Sequence, residues 1–106
     1  MKEFKIKHQA IAGTLESSDI QIILDKSENQ GIEIELQSSV INQYGRRIRE
    51  VIVETLQKMN VDSVKLSVVD KGALDCTIIA RTIAAVHRAA DVQSDFDWEE
   101  IEQWNV

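Results

Sequence analysis

The sequence of 106 residues has one cysteine, no proline and four isolated glycines. A single cysteine cannot form an internal disulfide, which excludes the disulfide-stapled scaffolds of small secreted proteins. Because the glycines stand apart at positions 13, 31, 45 and 72, neither a P-loop nor a G-x-G-x-x-G motif is present. His8 and His87 are far apart in the sequence and have no zinc-ligand spacing with the cysteine. We therefore expect no metal site and no nucleotide-binding loop.

Long apolar runs are also missing from the sequence. No window approaches the roughly 18 apolar residues that a membrane-spanning helix needs. Residues 1–8 have scattered charges without the apolar stretch of a signal peptide. We therefore expect a cytoplasmic protein with no membrane partner. An apolar content of 43% with 28% charged residues is ordinary for a globular chain, and the length suits a single core.

An excess of positive charge is absent as well, since 12 Lys and Arg residues stand against 18 Asp and Glu residues. The net charge of −6 argues against nucleic acid as a partner. Six of the acidic residues and no basic residue lie in 91–106, so residues 1–90 are neutral. We therefore divide the chain into a domain at 1–90 and an acidic tail at 91–106. The tail either stays mobile or docks its apolar side chains on a partner or on the domain: Phe96, Trp98, Ile101 and Trp104.

Three segments in the first forty residues have the pattern of short strands. The first two, 10–16 and 19–25, are separated by a short polar stretch that suits a tight turn. A second polar stretch at 26–31 leads to the third segment, 32–36, in which apolar residues alternate with glutamates. We predict a three-stranded antiparallel meander over these segments.

The rest of the domain predicts two helices and one more strand. Apolar residues recur at three- and four-residue steps over 40–59 and again over 73–90, which indicates two amphipathic helices. Between them, residues 62–69 alternate as a half-buried strand does. The predicted order is β-β-β-α-β-α, an α+β fold of two layers in which an antiparallel sheet of about four strands packs against two helices.

The polar turn at 13–19 is the best candidate for a functional site. Ser17 and Ser18 can be simple turn residues, which is the plainest interpretation. A nucleophilic serine needs a base, and no motif such as G-x-S-x-G supplies one here, so serine hydrolysis is a poor hypothesis. An exposed serine on a turn held by rigid strands can instead be the attachment point for a phosphate-linked group that another enzyme installs.

Two separated segments of the sequence resemble the same protein family. The first is Ala-Ile-Ala-Gly-Thr-Leu-Glu-Ser-Ser-Asp at 10–19, and the second is Asp-Lys-Gly-Ala-Leu-Asp-Cys at 70–76. With the Gln-Tyr-Gly at 43–45 and the chain length, they resemble the citrate lyase acyl carrier protein family, the gamma subunit of citrate lyase. The resemblance covers about residues 8–90. The resemblance is specific because both segments match at the spacing that the family has between them, whereas a match of one segment alone would be weaker support.

The resemblance implies a non-catalytic carrier subunit. In this family a serine holds a phosphoribosyl-dephospho-CoA group through a phosphodiester, and the matching position here is Ser17. Family members often have glycine at the next position, where this chain has Ser18, so Ser18 is the less favoured attachment site. The implied task is to carry acetyl and citryl thioesters between the transferase and lyase subunits while citrate is cleaved to acetate and oxaloacetate.

The resemblance also implies partners, and it leaves alternatives. The partners would be the alpha and beta subunits of citrate lyase, the transferase that installs the prosthetic group and the ligase that acetylates it. One alternative is the acyl carrier subunit of malonate decarboxylase, which uses the same kind of group; the segments 13–17 and 72–76 favour the citrate enzyme. The other alternative is an unmodified interaction module that uses the edge of the meander and the aromatic tail.

Several other side chains have a plain and a functional interpretation. Glu16 and Asp19 flank the serines and either solvate the turn or serve as recognition charges for the installing enzyme. Cys76 falls on the apolar stripe of the second helix, so we expect a small buried side chain rather than a second thiol for acyl transfer. A basic patch on the first helix is a solvated face or contacts an acidic subunit surface; it consists of Arg46, Arg47 and Arg49.

Overall fold

The computed structural model describes residues 4–38 and 41–91, with the side chains of all of them except Ile41 and Asn42. The order β-β-β-α-β-α and the α+β class confirm the prediction from hydrophobic periodicity. In the described ranges, neither helix has the length and apolar character needed to cross a membrane. The elements are β1 (Ala10–Ala12), β2 (Ile20–Lys26), β3 (Gly31–Ser38), α1 (Ile41–Lys58), β4 (Ser63–Asp70) and α2 (Asp75–Ala89).

The four strands form one mixed sheet in the order β1-β2-β4-β3. Strand β2 pairs antiparallel with β1 on one side and with β4 on the other, whereas β3 and β4 are parallel. The predicted antiparallel meander is therefore wrong, because β4 lies between the two strands that were expected to be neighbours, and the predicted all-antiparallel sheet is wrong because β3 and β4 are parallel. Helix α1 is the physical reason, since it returns the chain from the end of β3 to the start of a parallel strand.

Both helices pack on one face of this sheet, and the core lies between the two layers. Alternate side chains of β2 and β4 point toward the helices and are completely buried, among them Leu24 and Leu66. They meet equally buried side chains such as Ile52 of α1 and Val86 of α2. Each such burial stabilises the fold by about 1.5–3 kcal/mol. The strands that flank the serine turn therefore belong to a rigid platform.

The opposite face of the sheet is not covered by any element in the described ranges. Ile11 lies on this face opposite Ile23, and its side chain is 49% exposed. The edge strand β3 exposes Glu33 and Glu35 there. Charged residues on an edge strand discourage the addition of a further strand. On the other side of β3, the Arg49 guanidinium of α1 donates to the Ile34 carbonyl oxygen at 2.9 Å.

Candidate functional site

Ser17 and Ser18 are the two central residues of a tight turn between β1 and β2. The Asp19 N–H donates to the Glu16 carbonyl oxygen at 3.2 Å and closes the turn, and both serines are exposed. Ser18 has a φ of +63°, in the left-handed region that glycine adopts without steric cost. The backbone therefore suits the glycine that the family resemblance leads us to expect at this position.

The serine turn is hydrogen-bonded to the second segment of the resemblance. The Ser18 N–H donates to the Lys71 carbonyl oxygen, and the Lys71 N–H donates to the Asp19 carbonyl oxygen, each at 2.8 Å. The second bond continues the antiparallel register of β2 and β4 beyond its last pair, Ile20 with Asp70, whereas the first is offset from it by one residue, so that Ser18 and Asp19 both face Lys71. Segments 10–19 and 70–76, which are far apart in the sequence, are thus in contact at one end of the domain.

The carboxylate of Asp70, the last residue of β4, holds the loop at 71–73 in place. Its buried carboxylate accepts hydrogen bonds from the backbone N–H groups of Gly72 and Ala73 at 3.2 and 3.0 Å, and from the Ser38 hydroxyl at 2.9 Å. This is the Asx-turn geometry that aspartate adopts at the end of a strand. The end of β3, the loop after β4 and the serine turn are consequently held against one another.

Asp19 clamps the serine turn to α2. Its carboxylate accepts two hydrogen bonds from the Arg81 guanidinium, at 3.0 and 3.1 Å, and two from Thr14, at 2.6 Å from the hydroxyl and 3.1 Å from the N–H. Asp19 is only 8% exposed. Its Oδ1 accepts one of the two Arg81 bonds and also the Ile20 N–H, at 2.7 Å, whereas Oδ2 accepts the other Arg81 bond and both Thr14 bonds. Asp19 is therefore not the solvated or recognition charge expected from the sequence, whereas Glu16 is exposed. We call Asp19, Thr14 and Arg81 the Asp19 clamp.

The clamp sets the ionisation of Asp19. The hydrogen bonds from the Arg81 guanidinium, followed by that from Thr14, hold the pKa of Asp19 well below its ordinary value. Because the folded-state pKa is the lower one, the carboxylate stabilises the fold fully at neutral pH. This contribution is lost as the pH falls below 3.8, the ordinary value, toward the folded-state pKa.

The variant Asp19→Asn tests the clamp through its stability. We expect its free energy of unfolding at pH 7 to fall by about 2 kcal/mol, since charge-assisted hydrogen bonds typically contribute about 1.5–3 kcal/mol. The difference from the original chain should shrink as the pH falls below the ordinary pKa of aspartate. Urea unfolding followed by circular dichroism at several pH values measures both effects.

The exposed carboxylate of Asp62 provides the control for this measurement. Asp62 lies in the loop before β4, and its carboxylate makes no hydrogen bond or ion pair with the described part of the chain. Asp62→Asn should leave the free energy of unfolding within about 0.5 kcal/mol of the original, as surface substitutions usually do. An equal loss in both variants, or a loss in Asp19→Asn that does not depend on pH, would contradict the clamp.

Gly13 allows the chain to enter the serine turn. Its φ is +85°, and a Cβ placed on it would lie 1.8 Å from the Ile20 carbonyl oxygen and 3.3 Å from Cδ of Arg81. The backbones of the two strands approach each other here more closely than any side chain permits. Gly13 thus leaves room for the Arg81 side chain on its way to Asp19.

Cys76 is exposed, so the expectation of a buried small side chain is wrong. The residue lies in the first turn of α2, which begins at Asp75, and burial on this helix starts only at Ile78. The first turn of α2 extends past the end of the core. The spacing of apolar residues along the helix continues into this turn, but no strand of the described sheet lies opposite it to bury Cys76.

The three arginines of the predicted basic patch have separate contacts. Arg47 bonds the Asp75 carboxylate at 2.8 and 3.2 Å and lies 3.7 Å from Glu50. Arg49 is occupied with the backbone of β3, as described above, and Arg46 is exposed. Two of the three charges are therefore engaged within the domain, which weakens the interpretation of the patch as a docking site for an acidic surface.

Neither histidine lies beside the serine turn. His8 pairs with Asp91 at 2.7 Å, beyond the last residue of α2, and its backbone N–H bonds to Ala89. His87 is buried and packs on the ring of Phe4, with the ring centroids 4.9 Å apart. In the described part of the chain, the exposed hydroxyls of the serine turn therefore stand on a rigid turn with no histidine among their contacts.

Comparisons with known proteins define the family. Residues 7–89 match the model of a family described as the malonate decarboxylase delta subunit. The citrate lyase acyl carrier protein of Streptococcus mutans is 56% identical over 101 residues, which cover 95% of this chain and 98% of that protein. The protein of the same name from Lacticaseibacillus casei is 59% identical over 100 residues, with coverages of 94% and 97%.

A solved structure supports the fold. One chain of a Pseudomonas malonate decarboxylase hetero-tetramer in complex with malonate superposes with a TM-score of 0.66, at 16% identity, over 82% of this chain and 89% of that one. At this identity the likeness concerns the fold alone.

The chain belongs to the citrate lyase acyl carrier proteins, within the acyl carrier family named after the malonate decarboxylase delta subunit. Its relatives confirm the family resemblance found in segments 10–19 and 70–76. They also confirm that the chain is a carrier and not itself a catalyst.

Proposed function

We propose that this chain is the acyl carrier subunit of citrate lyase and that Ser17 holds a phosphoribosyl-dephospho-CoA group through a phosphodiester. Membership of the acyl carrier family implies a covalently attached prosthetic group. The observation that supports Ser17 is its place at the tip of a turn that the Asp19 clamp and Lys71 hold against the domain. The identity of the group and its position on the chain are the proposal.

The serine turn suits such a group. The Ser17 hydroxyl is exposed and makes no hydrogen bond within residues 4–38 and 41–91, so it is accessible to an installing enzyme. Ser18 is also exposed, but its backbone is fixed by the bond to Lys71 and by its left-handed conformation. The exposed carboxylate of Glu16 repels a phosphodiester on its neighbour, which favours projection of the arm into solvent.

The protein's own contribution is positional. When bound, the group supplies a thiol for acyl transfer between the transferase and lyase subunits. The Asp19 clamp keeps the attachment point fixed relative to the domain. Attachment at a fixed point converts the encounter with each active site into an intramolecular event at high effective concentration.

The remaining parts of the proposal follow the resemblance. The partners are the alpha and beta subunits, the transferase that installs the group and the ligase that acetylates it, in the cytoplasm. Residues 1–90 form the carrier domain, and 91–106 form an acidic tail. Apart from Asp91, the tail lies outside the described residues.

Malonate decarboxylase is the second candidate, because the matching family model has its name and a chain of that enzyme shares the fold. The relatives above 50% identity that span nearly the whole chain favour citrate lyase. Rate measurements separate the two: the loaded chain should restore citrate cleavage to carrier-depleted citrate lyase and should not restore malonate decarboxylation to the corresponding complex. The opposite result would exchange the two candidates.

Mass spectrometry of the chain from its native host tests the attachment. We expect an intact mass above that of the bare polypeptide by the mass of the prosthetic group, and peptide mapping should place the increase on Ser17. A bare polypeptide from cells that are fermenting citrate would overturn the proposal and leave the unmodified interaction module as the better hypothesis. An increase that maps to Ser18 would move the site by one residue.

A further inference from the structure

Lys71 is the residue at which the loop after β4 meets the serine turn. Its carbonyl oxygen accepts the Ser18 N–H, and its own N–H donates to the Asp19 carbonyl oxygen, each at 2.8 Å. Backbones paired in this way stand about 4.5–5.5 Å apart at Cα, and the next residue along a chain is at most about 3.8 Å further away. The four-carbon stem of a lysine spans the distance that remains to a group on Ser17.

The ammonium group of Lys71 has no counter-ion within residues 4–38 and 41–91. Its side chain is exposed and forms no hydrogen bond or ion pair there. An exposed lysine is ordinarily a solvated surface charge. Lys71 differs from such a lysine because its backbone is fixed beside the proposed attachment point while its charge stays available.

Most other charged side chains at this end of the domain are already engaged: Asp19 with Arg81, Asp75 with Arg47, and Asp70 with the backbone of the loop after it. Glu16 is exposed, and its charge has the sign that repels a phosphodiester. Arg46 of α1 is exposed as well, but within the described ranges no hydrogen bond joins it to the serine turn. Among these residues, Lys71 is therefore the available cation whose backbone is bonded to the turn.

The chemistry of these groups fits a phosphodiester on Ser17. A phosphodiester is an anion at neutral pH, and the three N–H donors of a lysine ammonium are common partners of phosphate oxygens. The loop next to Lys71 also leaves room for such a group, since a Cβ placed on Gly72 would meet nothing within 4 Å. Attraction by Lys71 and repulsion by Glu16 therefore act on the same phosphate in the same sense.

We propose that the Lys71 ammonium pairs with the phosphodiester on Ser17 and directs the start of the prosthetic arm over the loop at 71–74, away from Glu16. This pairing rests on the proposed function, because it requires the group to be attached at Ser17. Lys71 is then a second point of contact between the domain and the arm, beside the covalent bond. A fixed direction at its start narrows the region that the arm explores, which raises the effective concentration of its thiol on that side of the domain.

Acetylation of lysines in the loaded and the unloaded carrier tests the pairing. Both forms of the original chain are treated with a trace of an acetylating active ester, and peptide mass spectrometry gives the rate at each lysine. We expect the rate at Lys71 to fall about two- to fourfold on loading, because only the uncharged amine reacts and an exposed ion pair favours the charged form by about that factor. Lys26 is the matched control, since it is exposed at the opposite end of β2, and its rate should not change.

Salt distinguishes pairing from simple cover by the arm. Protection of Lys71 by an ion pair should decrease as the ionic strength rises to about 1 M, where charges are screened over about 3 Å. Protection by cover alone does not depend on salt in this way. A loss of reactivity at Lys71 that is equal at low and high salt would therefore overturn the pairing.

Two variants provide a second measurement on the phosphate itself. Lys71→Gln and Lys71→Arg are each loaded, and the phosphodiester is observed by phosphorus NMR. We expect its signal to narrow in Lys71→Gln, because the phosphate moves more freely without its partner, and to regain its width in Lys71→Arg, which retains the charge. Equal widths in all three chains would contradict the pairing. Urea unfolding should show all three equally stable, since the side chain is exposed.

The outcomes separate the pairing from the proposed function. If the original chain cannot be loaded at Ser17, the proposed function fails and the pairing fails with it. If loading at Ser17 is complete but Lys71 reacts at the same rate in both forms, only the pairing is overturned.

Discussion

Ser17→Ala is expected to leave the chain with the mass of the bare polypeptide and to abolish its support of citrate cleavage. The substitution removes the hydroxyl oxygen through which the phosphodiester is formed, and no other atom of the residue can replace it. Because Ser17 is exposed and makes no hydrogen bond within the described ranges, the fold should be unaffected. Incubation with the installing transferase, followed by intact-mass measurement and a cleavage assay, gives both results.

Ser18→Gly is the matched control for this prediction. It removes the neighbouring hydroxyl and also suits the φ of +63° at this position. We expect full loading and the original rate, with a free energy of unfolding that changes by less than about 1 kcal/mol. Loading of Ser17→Ala together with no loading of Ser18→Gly would assign the attachment to Ser18. Loading of both variants would show that neither serine is the specific attachment site.

The strands and helices of this fold were predictable, but the order of the strands was not. Alternating and three- to four-residue periods locate each element because they report which side chains face the core. They do not report which strand pairs with which. The segment β3-α1-β4 did contain a signal, since a strand, a helix and a strand in succession are typical of a parallel pair. The polar stretch at 26–31 suggested a hairpin instead, although it only lets the chain cross to the far side of β4.

The candidate site was found as two segments, and the sequence did not indicate that they touch. Their contact follows from the antiparallel register of β2 with β4, which continues to Asp19 and Lys71. The role of Arg81 was out of reach for a related reason. It lies 62 positions from Asp19, on α2, and it is not part of the apolar stripe that indicates which side chains of this helix face the core. From the local sequence, an aspartate in a polar turn is expected to be solvated. Its burial and its ion pair depend on a residue of a distant helix, which the local sequence does not show.

Cys76 illustrates a different limit of sequence patterns. An apolar residue on the stripe of a helix is buried only where a second layer lies opposite it. The sheet and the core end before the first turn of α2, so the same period that correctly predicts burial of Ile79 and Ile83 wrongly predicts burial of Cys76. The end of a core is a tertiary property that the periodicity of one helix does not contain.

Gly13→Ala is expected to lower the free energy of unfolding by about 3–4 kcal/mol. A residue with a Cβ at a φ of +85° is strained by roughly 1–2 kcal/mol. The new Cβ would also lie 1.8 Å from the Ile20 carbonyl oxygen. Relief requires a shift of backbone between buried strands, which typically costs about 1–3 kcal/mol. Urea unfolding followed by far-ultraviolet circular dichroism measures the loss.

Gly72→Ala separates the steric clash from the backbone strain. Gly72 has a similar φ of +92°, but a Cβ placed on it would meet nothing within 4 Å. This variant should lose only about 1 kcal/mol, since the strain remains and the lower entropy of the unfolded chain offsets part of it. Equal losses in the two variants would contradict the close approach at Gly13. If the difference appears, loading at Ser17 should also slow in Gly13→Ala alone, because the displaced strand end forms one side of the Asp19 clamp.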